Sequence, residues 1–211
     1  MPEQIKVMAN FKTHTTVGTL WGILLGGFSI VCGFCSLIGG IVILFLAVAS
    51  SAAPDIDSDT GRPQELVLSF LGIVIPIVLF FNLSKATSSE NILAVTLISF
   101  FITRYFLGYL LVKFTTHRGL WHSIPAAILC AEMTYLLFFD LSVKHRVLYA
   151  GTVFGGFLSH LLLDELYAVK IFTFGTTRSW GTALKFTGKS RPLTMLLYFL
   201  IFFAAIGCIY F

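Results

Sequence analysis

Two imidazoles, a guanidinium and a hydroxyl fall within seven residues at His117-Arg118-Gly119-Leu120-Trp121-His122-Ser123, in a chain that holds only five histidines. Neutral imidazole is the commonest protein ligand for a transition metal, and planar guanidinium is a natural partner for phosphate or carboxylate. Two further polar clusters stand apart in the chain: Asp55-Ile56-Asp57, and His160 with Asp164. The last two are spaced i, i+4 and share one face of a helix. Together these groups offer metal-assisted chemistry, provided the chain brings them to one place.

The elements that must do so are apolar. Of 211 residues, 57% are hydrophobic and 11% charged, far from the balance of a soluble domain. The apolar residues come in runs of about 20, enough for a helix to cross roughly 30 Å of hydrocarbon. The expected fold is all-α: a polytopic membrane protein of about seven transmembrane helices, with residues 1–211 forming a single membrane-embedded domain. Ala47-Val48-Ala49 looks like a signal cleavage site, but the apolar run before it is too long for a secretory leader. The net charge of +4 is modest and predicts no nucleic-acid partner.

In chain order, Val17 to Ser51 reads as two helices in a hairpin broken at Cys32-Gly33-Phe34-Cys35. His14, Gly18, Gly22 and Gly26 fall at successive i+4 positions, a stripe that lets another backbone approach closely. Helices are then expected over Leu66 to Leu83 (kinked at Pro76), Asn91 to Val112, Ser123 to Leu141, Val147 to about Leu166, and Pro192 to Phe211. Thr152, Gly156, His160 and Asp164 form a second i+4 stripe. Tyr167 to Arg191 is basic and reads as a segment lying along the membrane surface. Arg104 and Glu132 sit at matched depth on adjacent helices, which predicts a buried ion pair. Cys32 and Cys35 have CxxC spacing, but without a second pair they read as small apolar residues.

Seven crossings place the loops on alternate sides. Ten basic residues (Lys6, Lys12, Arg62, Lys113, Arg118, Lys170, Arg178, Lys185, Lys189 and Arg191) fall on the side of the N-terminus, against Lys85, Lys144 and Arg146 opposite. The positive-inside rule then predicts an N-terminus in the cytoplasm and a C-terminus outside. His14, Asp55, Asp57, His117, Arg118, His122, His160 and Asp164 all fall on that cytoplasmic side.

Pro54-Asp55-Ile56-Asp57, His117-Arg118-Gly119-x-x-His122-Ser123 and Ser159-His160-x-x-x-Asp164, preceded by His14, resemble the motif blocks of the YdjM-type family. That family is described as LexA-binding, inner-membrane-associated and metal-dependent hydrolytic, and is related in turn to zinc-dependent phospholipase C and P1-type nucleases. Two departures stand out: Trp121 occupies a position where the family commonly has threonine, and two extra helices separate Asp57 from His117. The resemblance implies a metal-dependent hydrolase.

In that setting His14, Asp55, His117, His122, His160 and Asp164 are mixed nitrogen and oxygen ligands suited to zinc, with manganese or iron as alternatives. Six candidates exceed one tetrahedral shell, so either two ions bind or some residues orient others. Asp57 is placed to accept a proton and Arg118 to hold an anionic group. Beside a bilayer, membrane lipids are the expected partners, and a phosphoester or lipid headgroup is the economical substrate. Blander readings stand beside this one. His160 and Asp164 alone suit a helix hydrogen bond, Asp55 to Asp59 a solvated turn, and Arg118 a cytoplasmic anchor. A non-catalytic metal-binding membrane protein, either a scaffold or a transporter, is the alternative; a transporter would place its ligands near the midplane.

Overall fold

Glycine spacing decides how the first two helices meet. The computed structural model describes residues 11–57, 62–84, 87–109, 119–170, 175–176 and 184–210. Helices α1 (Phe11–Val31) and α2 (Leu37–Ala52) form a hairpin, and α1 buries His14, Gly18, Gly22, Gly26 and Ser29 along one face. A Cβ added at Gly22 would lie 2.9 Å from the Leu44 Cα, and one at Gly26 would lie 3.0 Å from the Gly40 carbonyl oxygen. Only glycine permits backbones this close. The reversal uses Gly33 at φ 68°, in the left-handed region that glycine adopts at no steric cost. Ser36 then caps α2 by accepting from the Gly39 N–H at 3.2 Å.

A 3-10 turn, Ala53–Asp57, follows α2, and α3 (Arg62–Leu83) runs on unbroken with Pro76 inside it. Helix α4 (Ser89–Phe101) continues as a π-helical stretch, Ile102–Leu107. Helices α5 (Ile124–Leu137), α6 (Val143–Ala168) and α7 (Arg191–Tyr210) complete the bundle. Among the described residues, five stretches are long and apolar enough to cross a membrane: Phe11–Val31, Leu37–Asp55, Ser89–Leu107, Val143–Ala168 and Arg191–Tyr210. Val67–Leu83 and Ile124–Leu137 are shorter apolar helices. The chain is thus an all-helical membrane protein, with five spans by length where seven were expected.

Helix α2 packs against both α1 and α6, whereas α4 and α7 lie at the periphery. Half of the α2 span is buried, against 11% for α4 and 17% for α7. The outward faces of α4 and α7 carry Leu97, Phe101, Phe199 and Phe202, which suits contact with lipid chains. A second glycine sets the α2–α6 contact: a Cβ at Gly156 would overlap Ser50 Oγ and lie 2.9 Å from the Ala47 carbonyl oxygen.

Two expectations are corrected. Arg104 and Glu132 do not pair, because α4 packs on α3 while α5 packs on α6 and α7. The Arg104 stem lies over Gly72, its guanidinium carbon 5.5 Å from the Tyr105 ring centroid, and Glu132 Oε2 is buried without a hydrogen-bond partner. Matched depth was necessary for a pair but could not supply adjacency. Arg146, expected in an outer loop, is buried in the first turn of α6; its Nε donates to the Tyr135 carbonyl at 3.0 Å and its guanidinium stacks 3.8 Å from the Tyr135 ring centroid. The basic segment after α6 carries a short antiparallel pair, β1 (Val169–Lys170) and β2 (Gly175–Thr176), in the register Val169↔Thr176. Trp180, expected by its residue type at the membrane interface in that segment, lies outside the described residues. All four cysteines are unbonded.

The glycine contacts predict opposite outcomes for one chemical change. Gly156→Ala should destabilise the bundle by about 1–3 kcal/mol through overpacking. Gly151, on the same helix, has no atom within 4 Å of an added Cβ. Gly151→Ala should therefore leave stability unchanged or raise it by up to about 1 kcal/mol. Thermal unfolding in detergent distinguishes the two, and equal melting temperatures would contradict the close α2–α6 packing.

Candidate metal centre

Helix polarity gathers the polar residues at one end of the bundle. His14 lies in the first turn of α1, Asp55 in the 3-10 turn that ends α2, His122 just before α5, and His160 and Asp164 toward the end of α6. Local chemistry fixes each segment. Ser123 caps α5, its hydroxyl donating to the Leu120 carbonyl at 2.5 Å and accepting from the Ala126 N–H at 3.4 Å, with Pro125 in the first turn. This holds His122 against the helix start.

The five side chains meet in an almost dry site. His14, His122 and His160 are 1%, 1% and 0% exposed, Asp164 is 6% and Asp55 is 18%. His160 Nε2 lies 3.5 Å from Asp55 Oδ1 and 3.8 Å from Asp164 Oδ2. His122 Nε2 lies 3.8 Å from Asp55 Oδ1 and 3.9 Å from Asp164 Oδ2. His14 Nε2 faces the other oxygen, Asp164 Oδ1, at 3.4 Å. The His14 and His160 rings stack at 3.6 Å, and the His122 ring meets His160 edge-on at 5.4 Å.

One tautomer is set by the fold. His160 Nδ1 lies 2.7 Å from the Ser51 carbonyl oxygen, which can only accept, so Nδ1 carries the proton. In the neutral ring Nε2 is then bare, and its lone pair faces two carboxylate oxygens. Acceptors so arranged repel one another unless a cation lies between them. The spacings agree: a hydrogen bond prefers 2.7–3.2 Å, whereas donors around a tetrahedral ion at 2.0–2.1 Å lie about 3.3 to 3.4 Å apart. The Nε2–carboxylate separations, 3.4 to 3.9 Å, fall at and just beyond that edge length. Two carboxylates among neutral imidazoles also carry the charge that a divalent cation would neutralise. Two ligand triads result, His14/His160/Asp164 and Asp55/His122/His160, with donor atoms in each lying within 4.8 Å of one another.

Five of the eight expected site residues therefore come together. His117 and Arg118 lie outside the described residues; the backbone of Asp57 closes the 3-10 turn, but its side chain lies outside them. The Ser51 carbonyl escaped the sequence reading because a backbone acceptor leaves no residue-type signal. Trp121 stood out in sequence only as a family departure; in the structure its indole N–H donates to the Ala53 carbonyl at 2.8 Å.

A bundle of membrane-length helices closing at one end around buried imidazoles and carboxylates defines a membrane-embedded helical protein with a site that could hold a metal ion. The chain belongs to the YdjM inner membrane protein family, whose family model matches residues 8–210. No curated protein and no solved structure matches it.

The contact pattern predicts graded ligand effects. His160→Ala and Asp164→Asn remove groups shared by several contacts and should abolish tight zinc binding. His14 Nε2 faces Asp164 Oδ1 rather than the Oδ2 that meets His122 and His160, so His14→Ala should weaken binding by about 10- to 100-fold, the usual cost of losing an orienting partner. Competition titration against a chromophoric chelator measures this ranking. Equal losses at all three positions would make His14 a direct ligand and contradict the ranking.

Proposed function

We propose that this chain is a membrane-bound, metal-dependent hydrolase acting on a phosphoester or lipid-headgroup substrate at the cytoplasmic membrane face, with residues 1–211 working as one domain. The observation that carries the reading is the bare His160 Nε2 facing Asp55 and Asp164 within a buried set of three imidazoles and two carboxylates. Zinc suits that donor set best, with manganese or iron as alternatives. His122, His160, Asp55 and Asp164 Oδ2 are the central ligands, His14 orients Asp164 through its far oxygen, and His117 is a further ligand.

When bound, a divalent cation supplies Lewis acidity, polarising a phosphoryl oxygen and making coordinated water more acidic. The chain's own groups do the rest. Asp57, two residues from Asp55 on the same turn, accepts the proton of the attacking water. Arg118 holds the anionic group of the substrate and offsets charge that develops on it. Asp55 is the most exposed of the five clustered residues, so substrate approaches from its side. The relation that the motif resemblance implies between this family and zinc-dependent phospholipase C and P1-type nucleases supports phosphoester chemistry, and the membrane-spanning helices supply a lipid surface beside the site.

The second reading, a non-catalytic metal-binding scaffold, differs in one respect: the substrate groups do nothing. Arg118→Ala should retain wild-type metal content and lose at least about 100-fold in turnover, as expected when a charge-stabilising group is removed. Asp57→Asn should behave likewise. Chelation should abolish hydrolysis of a phosphodiester probe by detergent-purified protein, and zinc or manganese should restore it. Activity that survives loss of both His122 and His160 would contradict the hydrolase reading. Full metal content with no turnover on phospholipid or phosphodiester probes would favour the scaffold.

A further inference from the structure

Trp121 belongs to no ligand set, yet it touches every segment that carries a central ligand. Its Nε1–H donates at 2.8 Å to the carbonyl of Ala53, the first residue of the turn that bears Asp55. Its backbone precedes His122. Its ring meets Phe157, one turn before His160 on α6, at 6.2 Å between centroids and 69° between planes. It also packs against two separate core clusters, Ala52/Val67/Leu68 and Ala126/Ala127/Phe157/Leu161. Ala53 is the other residue that packs against both. The indole and the carbonyl it binds thus form the joint between the α2–α3 side of the bundle and the α5–α6 side.

That joint bears directly on the ligands. Asp55 sits on a short 3-10 turn and His122 on a turn ahead of a helix cap, and neither lies within an α-helix. Their separation, 3.8 Å between Asp55 Oδ1 and His122 Nε2, joins residues distant in sequence. The Trp121–Ala53 hydrogen bond couples the two backbones within two residues of each ligand. A ligand pair held before the ion arrives binds it more tightly and releases it more slowly, because less ordering is left to be done.

We propose that Trp121 is a positioning residue for the metal centre, its indole N–H fixing the Asp55 turn against the His122 turn. The proposal rests on the metal reading above. Trp121→Phe keeps an aromatic ring against Phe157 and deletes the donor, whereas Phe157→Leu removes the ring contact and keeps the donor.

Full-length wild type, Trp121→Phe, Phe157→Leu and His160→Ala are purified in detergent and titrated with zinc against a chelator. Cobalt-loaded samples are compared by visible absorption, and the apo proteins by thermal unfolding. Trp121→Phe should lose about 10- to 100-fold in zinc affinity and shift the cobalt ligand-field bands, with an apo melting temperature close to wild type. Phe157→Leu should keep wild-type affinity and spectrum even where its melting temperature falls. Unchanged affinity and bands in Trp121→Phe would overturn the proposal. So would affinity losses in both variants that merely follow their melting temperatures, since Trp121 would then be ordinary core. Wild-type protein that binds zinc no better than His160→Ala would overturn the metal reading and this proposal with it, whereas loss confined to His160→Ala would overturn this proposal alone.

Discussion

Two carboxylates held away from water, with three imidazoles around them, set the condition that the rest of the structure has to meet. A charge placed in the apolar interior of a membrane bundle costs several kcal/mol unless it is paired. Asp164 is nearly inaccessible and Asp55 only slightly less so, and buried imidazoles face both carboxylates. Imidazolium could serve in place of a metal, but the stacking of His14 on His160 at 3.6 Å puts two such charges face to face. A divalent cation would answer the whole arrangement at once. It would neutralise both carboxylates, use the bare His160 nitrogen, and fit donor spacings too long for good hydrogen bonds.

The packing of the helices follows from bringing those groups together. The Ser51 carbonyl can reach His160 only because α2 lies tight between α1 and α6. Gly22 and Gly26 allow that approach on one side and Gly156 on the other. Each glycine lies on the same i+4 stripe as a residue of the cluster, Gly22 and Gly26 with His14 and Gly156 with His160 and Asp164. Close backbone contact and ligand placement are therefore one feature of the sequence. Side chains at the same positions would spread the helices and leave His160 without the bond that fixes its tautomer.

Much of this was legible in the sequence because helical periodicity is local. The stripes His14/Gly18/Gly22/Gly26 and Thr152/Gly156/His160/Asp164 are buried as their spacing requires, and the spans follow from apolar length. What stayed hidden depended on which helices become neighbours. Arg104 and Glu132 had matching depth but belong to helices that pack on different partners. Arg146 was counted as a loop charge and is instead enclosed beside Tyr135, where cation–π contact and a carbonyl acceptor take the place of water. The Trp121 bond spans 68 residues and ends on a backbone carbonyl, so neither spacing nor residue type announces it.

On the metal reading, imidazole nitrogens and carboxylate oxygens from three separate segments, the Asp55 turn, the stretch before α5 and α6, coordinate one cation. X-ray absorption at the zinc edge, on detergent-purified protein carrying one equivalent of zinc, tests it most directly. The prediction is a first shell of nitrogen and oxygen alone at about 2.0–2.1 Å, with outer-shell scattering from at least two imidazoles. A sulfur shell near 2.3 Å, placing the ion on cysteine, or a hydrated ion without imidazole scattering, would contradict it.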